Sequence, residues 1–252
     1  MLGNRNAHQI ARAILGKQHY IALWNMAKLY PCFWENLKRY LFGVGTYPYK
    51  IDIRRPLGIQ QATLYSHHDI LTVNEIFCRQ DYYAVQPRVV VDIGSNIGIS
   101  VLYFLTRNRE CIVYCYEPDP RSIKRLRTNL AGFEGRYHLQ ECAVADQEGM
   151  VEFGIESTGH YGGIGKNTGN SIRVSCREIN GVHEEVLSKH GRIDILKLDI
   201  EGMELPTVSA IDKRLLVSIN RVYLEAAPED ALYPDLFRQE QYGSVCRLLR
   251  KQ

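Results

Sequence analysis

The 252-residue sequence lacks the features that mark several protein classes. Its charges nearly cancel, 31 Lys+Arg against 28 Asp+Glu. It therefore has no sign of the basic stripe of a dedicated nucleic-acid binder, and no nucleic-acid partner is expected. Cysteines stand at 32, 78, 111, 115, 142, 176 and 246, an odd number with no CxxC pair. Neither a disulfide framework nor a zinc knuckle is indicated, and reduced thiols in a cytoplasmic protein are expected. No apolar run approaches the roughly 18 residues of a membrane span. Arg5, His8 and Arg12 interrupt anything like a signal-peptide core. With 45% hydrophobic and 23% charged residues the composition is that of an ordinary globular chain. The length suggests one full domain plus an appendage.

Residues 1–45 read as two helices separated by Pro31 and rich in aromatics, including Tyr20, Trp24, Trp34 and Phe42. Such helices can lie on a membrane surface, so peripheral contact stays open. Packing of the rings onto their own domain is the favoured expectation. A β-hairpin over 49–54 and 60–65 and a short helix over 72–78 follow, and Pro87 marks a boundary. The expected division is an N-terminal helical and β-hairpin extension, 1–86, and a larger domain, 87–252. Nothing argues against a homo-oligomer.

Beyond Pro87 the pattern alternates. Strands are expected at 89–93, 112–116, 137–141, 193–198 and 217–224, with helices at 98–108, 120–131, 181–189 and 203–211. This rhythm predicts an α/β fold, a mostly parallel sheet with helices on both faces. In such sheets ligands bind beyond the carboxyl ends of the strands.

The first strand runs into Asp92-Ile93-Gly94-Ser95-Asn96-Ile97-Gly98. The glycines, spaced GxxxG, let a ligand approach the backbone. They lack the extra early glycine of a dinucleotide fingerprint, and no GK[ST] of a Walker A loop follows. Asp92 opposes a pyrophosphate and suits a cationic ligand. Glu117, ending the second strand, is placed to hold ribose hydroxyls. A ribose, a positive charge and no phosphate describe S-adenosylmethionine. After the third strand, Ala143 and its small neighbours leave room for adenine, and Asp146 either accepts from the adenine amino group or caps the next turn.

Four stretches together resemble the FkbM family of S-adenosylmethionine-dependent methyltransferases. They are Val91–Gly98, Tyr116-Glu117-Pro118-Asp119-Pro120, Ala143-Val144-Ala145-Asp146 and Asp194-Ile195-Leu196-Lys197-Leu198-Asp199-Ile200-Glu201-Gly202, with Glu204 continuing the last. The resemblance spans about residues 69–225. It implies a class I, Rossmann-like methyltransferase fold, S-adenosylmethionine as cofactor, and O-methylation of a small-molecule or glycan acceptor such as a sugar or polyketide hydroxyl. The implied cofactor-binding set is Asp92, Gly94, Asn96, Gly98, Glu117, Ala143, Asp146 and Asp199. The methyltransferase sheet closes with an antiparallel pair. Here a helix over 229–239 and a single strand over 242–249 are expected, leaving one strand missing or replaced.

An alcohol acceptor needs its proton removed, so a base is sought at the strand tips. Asp199, Glu201 and Glu225 qualify, as a group whose mutual repulsion raises one pKa. The alternative is that they cap the next helix and hold Lys197. The acid cluster could instead hold a divalent metal, but no DxD or EF-hand spacing supports one, so a metal is the minority alternative and no metal site is assigned. The glycine-rich segment 157–170 reads either as a lid, with His160 or Tyr161 reaching the acceptor, or as a plain hairpin loop. The rival functions are a nicotinamide-dependent sugar oxidoreductase and a non-catalytic protein that keeps the fold.

Overall fold

A computed structural model describes residues 17–55, 58–156 and 162–251. The chain divides into two compact units, Met1–Tyr83 and Ala84–Gln252.

In the first unit, helices Lys17–Leu29 and Phe33–Phe42 flank Pro31. Gly43, in the left-handed region at φ 64°, ends the second helix. Strands β1 (Tyr49–Arg55) and β2 (Gly58–Leu64) form the antiparallel hairpin. Their alternation turns Ile51, Ile53, Ala62 and Leu64 inward. The next helix starts earlier than the sequence suggests, at His67. Ser66 and Asp69 form a reciprocal capping box there, and the helix passes into a π-turn at Asn74–Arg79. The aromatic helices depart from expectation. Tyr30 is buried, but Trp24 and Trp34 are 65% and 78% exposed. Among its described side chains, helix Lys17–Leu29 buries a narrow stripe, Ala22 and Met26.

The second unit holds a seven-stranded sheet. Its strands are β3 (Val89–Ile93), β4 (Ile112–Tyr116), β5 (Tyr137–Gln140), β10 (Ile195–Leu198), β11 (Arg221–Leu224), β12 (Phe237–Tyr242) and β13 (Val245–Arg250). Their spatial order is β12-β13-β11-β10-β3-β4-β5. The five from β11 to the β5 edge are parallel, and β13 runs antiparallel between β11 and β12. Every residue of β3 is buried, as its Val-Val-Val run demands. Val89, Val91 and Ile93 cluster with Val182, Val186, Val208 and Leu215 from helices Ile179–His190, Glu204–Ser209 and Lys213–Leu216. Helix Ile99–Leu105 packs on β3 and β4 and against helix Pro120–Asn129.

The expected loss of a closing strand is corrected. There is no helix over 229–239. Pro234 interrupts it, and the alternating Phe237–Tyr242 stretch is β12. A two-residue turn, with Gly243 at φ 62°, returns the chain as β13, so both antiparallel partners are present.

Between β5 and β10 the chain builds a second sheet from β6 (Ala143–Ala145), β7 (Gly149–Gly154), β8 (Gly163–Ile164) and β9 (Ser171–Glu178), in the order β6-β9-β7-β8.

Candidate active site

The tips of β3 and β4 meet at a turn that only glycine can make. Gly94 has φ 78°, and a Cβ there would lie 1.8 Å from the Asp199 carbonyl oxygen. Its N–H and that of Ser95 donate to the Tyr116 carbonyl, at 3.0 and 3.1 Å. The next residue, Asn96, is also left-handed, at φ 46°. That conformation aims its N–H at Glu117 Oε2, 2.8 Å away, while Asp119 N–H donates to Oε1 at 2.9 Å. Two backbone donors thus fix a carboxylate that is only 6% exposed. Burial pushes the Glu117 carboxyl up to about 7, against the pull of those donors.

Beneath the turn lies a buried ion pair. In register, Asp92 of β3 is the partner of Lys197 of β10. Lys197 Nζ reaches Asp92 Oδ1 at 3.0 Å, the Gly94 carbonyl at 3.0 Å and Asp199 Oδ2 at 3.3 Å. Burial would lower the lysine pKa, but the Asp199 and Asp92 carboxylates carry it above its ordinary value. Ser100 Oγ donates to the other Asp92 oxygen.

The loop after β10 is held by Glu204. Its two oxygens accept from the Ile200 and Gly202 N–H groups at 2.9 and 2.8 Å. The brace fixes Glu201 at φ 56° and Gly202 at φ 102°. Glu201 pairs at 2.9 Å with Lys166 from the β8–β9 connection. Burial raises the Glu201 pKa, and Lys166 opposes the rise.

These elements surround a cleft with an empty volume of about 650 Å³, including open solvent. Gly94, Asn96 and Glu117 line one side and Asp199 and Glu201 another. Cys142, Ala143 and Val144, with Phe153 and Ile164 of the second sheet, give it an apolar wall. Tyr116 also lines this cleft, and its hydroxyl is buried without a hydrogen-bond partner. A second hollow adjoins it, lined by Asp199, Glu201, Glu204, Leu205 and Glu225. Asp199 and Glu201 therefore border both spaces.

Six of the residues singled out from sequence come together at the first cleft: Gly94, Asn96, Glu117, Ala143, Asp199 and Glu201. Glu225 is exposed and borders the second hollow only. Three others do not line the first cleft. Asp92 is fully buried in the Lys197 and Ser100 contacts. Gly98 packs against helix Pro120–Asn129, where a Cβ would lie 3.0 Å from Leu126 Cγ. Asp146 is exposed in the turn after β6 and does not line the cleft, because β6 leaves the main sheet to pair with β9. His160 and Tyr161 lie outside the described residues. Sequence reasoning missed Phe153, Ile164 and Lys166. Phe153 lies on β7, whereas Ile164 and Lys166 fall in the segment read as a lid or loop, and the approach of all three to the cleft depends on how the second sheet folds back. The bracing role of Glu204 was signalled by its place six residues beyond the end of β10, at a helix start.

The strand order, the inserted antiparallel β13 and the cleft at the parallel strand ends define a class I, Rossmann-like methyltransferase fold. Within that class the chain belongs to the FkbM family: the family model described as "Methyltransferase FkbM domain" matches residues 92–251. Among curated proteins it is similar to the 2-O-methyltransferase NoeI of Sinorhizobium fredii, 37% identical over 159 residues, 56% of this chain and 64% of that one. It is also similar to the 31-O-demethyl-FK506 methyltransferase FkbM of Streptomyces tacrolimicus, 29% identical over 103 residues, 39% of this chain and 40% of the relative. The chain spans less than two thirds of the length of either relative.

Proposed function

We propose that the protein transfers a methyl group from S-adenosylmethionine to a hydroxyl, on a sugar of a glycan, glycolipid or related secondary metabolite. The observation that carries this reading is the position of Asp199 and Glu201 on the border between two spaces, one walled by Glu117 and apolar groups, the other open beside Glu225. Two compartments sharing a carboxylate edge suit a two-substrate reaction. The names of both relatives point to oxygen as acceptor atom.

The cleft residues fit the cofactor. Glu117 is fixed by two backbone donors and has remaining lone pairs for ribose hydroxyls. The Gly94 turn brings backbone close without a side chain in the way. Cys142–Val144 with Phe153 and Ile164 offer an apolar wall for a base. Bound there, S-adenosylmethionine supplies a sulfonium methyl with its own leaving group.

The chain's residues do the rest. Lys197 keeps Asp199 anchored, so Asp199 orients the acceptor hydroxyl rather than taking its proton. Glu201, raised by burial, accepts that proton. Lys166 and the Glu204 brace hold the Glu201 carboxylate and its loop in place.

Calorimetric titration of the intact protein tests the cofactor half. S-adenosylmethionine should bind, and a reduced nicotinamide dinucleotide should not. Binding of the nicotinamide alone would overturn the assignment in favour of an oxidoreductase.

A further inference from the structure

Among the described residues, eight of the large hydrophobic side chains that face solvent lie between residues 20 and 44. They include both tryptophans of the chain. On helix Lys17–Leu29, Tyr20, Trp24 and Ala27 repeat at helical spacing on the solvent side. On helix Phe33–Phe42 the exposed stripe is Trp34, Lys38 and Leu41. A lone exposed leucine needs no explanation, but a concentration of this kind marks an interaction surface.

The charge of the same stretch is one-sided. Between residues 20 and 44 stand Lys28, Lys38 and Arg39 against one acid, Glu35, and by sequence residues 1–45 hold six Lys/Arg to that one acid, whereas residues 46–252 hold 25 and 27. That single acid is already paired, 2.7 Å from Arg39. Lys28 Nζ lies 4.7 Å from the Trp24 ring centre, and Lys38 is exposed between Trp34 and Leu41.

We propose that this aromatic, basic face of the N-terminal unit docks on an anionic lipid surface. Tryptophan and tyrosine favour the zone between headgroups and acyl chains, where an apolar ring and a polar edge are both accommodated. Lysines around them meet the negative surface potential of such a leaflet. A second copy of the chain would set like charge against like, so charge complementarity favours lipid over self-association. Among the described residues no helix is long and apolar enough to cross a membrane, so the contact is peripheral. The inference does not depend on methyl transfer.

The two tryptophans make the test specific, since their emission reports on this face alone. The intact protein is mixed with phosphatidylcholine vesicles, with or without about one third phosphatidylglycerol. With the anionic vesicles the emission should shift to the blue and the protein should float with the lipid. Binding should fall at least about tenfold on pure phosphatidylcholine or at ~0.5 M salt. Lys28→Glu with Lys38→Glu should weaken binding to anionic vesicles at least about tenfold. Both lysines are on the surface, and the salt titration on the unaltered chain reads the same charge dependence. Absence of flotation with unchanged emission overturns the proposal. Equal binding to neutral vesicles overturns its electrostatic basis. Blue emission without lipid, together with a dimer in sedimentation equilibrium, assigns the face to a second copy instead.

Discussion

Glu117 carries a pH dependence whose sign follows from its burial. Its carboxyl titrates at about 7 in the folded protein, above its ordinary value. The ionised form is the one that accepts ribose hydroxyls, so affinity for S-adenosylmethionine should drop as pH falls through 7. Titration at pH 6 and 8 checks this. Glu117→Ala, folded by circular dichroism, should bind at least about tenfold more weakly at pH 8, since each lost charge-assisted bond is worth roughly 1.5–3 kcal/mol. Glu201 makes a different prediction. Glu201→Gln should leave cofactor affinity within a few-fold and lower kcat by about a hundredfold or more. The acid limb of the native rate profile should lie above the ordinary carboxylate range, because burial raises Glu201. Lys166→Met removes the charge that opposes that rise and should move the limb further up. A limb that stays in place excludes Glu201 as the proton acceptor.

The turns at the strand tips divide by what surrounds them. Gly94 and Gly202 both have positive φ, but a Cβ on Gly94 meets the Asp199 backbone, and one on Gly202 meets nothing within 4 Å. Gly202→Ala should cost about 1 kcal/mol in denaturant unfolding, the backbone penalty alone. Gly94→Ala should cost several times as much and abolish cofactor binding, since β3 and the loop after β10 must separate. The parallel core was legible in the sequence because apolar strands and helical periodicity alternate on both sides of the inserted second sheet. The Glu117 tip was legible because an acid ending a strand has few structural reasons to be there. The burial of Asp92 was not legible, because its partner Lys197 is its neighbour only in register between strands, which periodicity does not carry. The β12–β13 hairpin was hidden by a stretch, 229–239, whose composition also suits a helix. Its Gly243-Ser244 pair was the available turn signal. The aromatic helices looked like core because aromatic content says nothing about how much protein is available to cover it.

At the level of the whole molecule, acid sensitivity should centre on His183, in helix Ile179–His190. It is fully buried, and neither ring nitrogen has a hydrogen-bond partner. Burial holds its pKa down to about 4. The unfolded chain binds this proton near 6.5 and the folded one only near 4. The stability tied to neutral His183 is therefore full above 6.5 and lost as pH falls towards 4, up to about 3 kcal/mol. His183→Leu should be at least as stable at pH 7 and should lose less stability between pH 6.5 and 4, read by denaturant titration at each pH. Glu117 acts in the opposite sense, favouring the fold below its ordinary value and ceasing to do so as pH rises through 7. The Asp92–Lys197 pair also bears on the time course of synthesis. Its members are 105 residues apart. At about 5–20 residues per second, roughly 5–20 s separate the appearance of the central strand from that of its counter-ion. During that interval Asp92 has no Lys197 to pair with, and enclosing its charge would be costly. Closing the sheet around β3 before β10 is made would enclose an unpaired charge, so β3 should stay open in the nascent half-domain until β10 emerges.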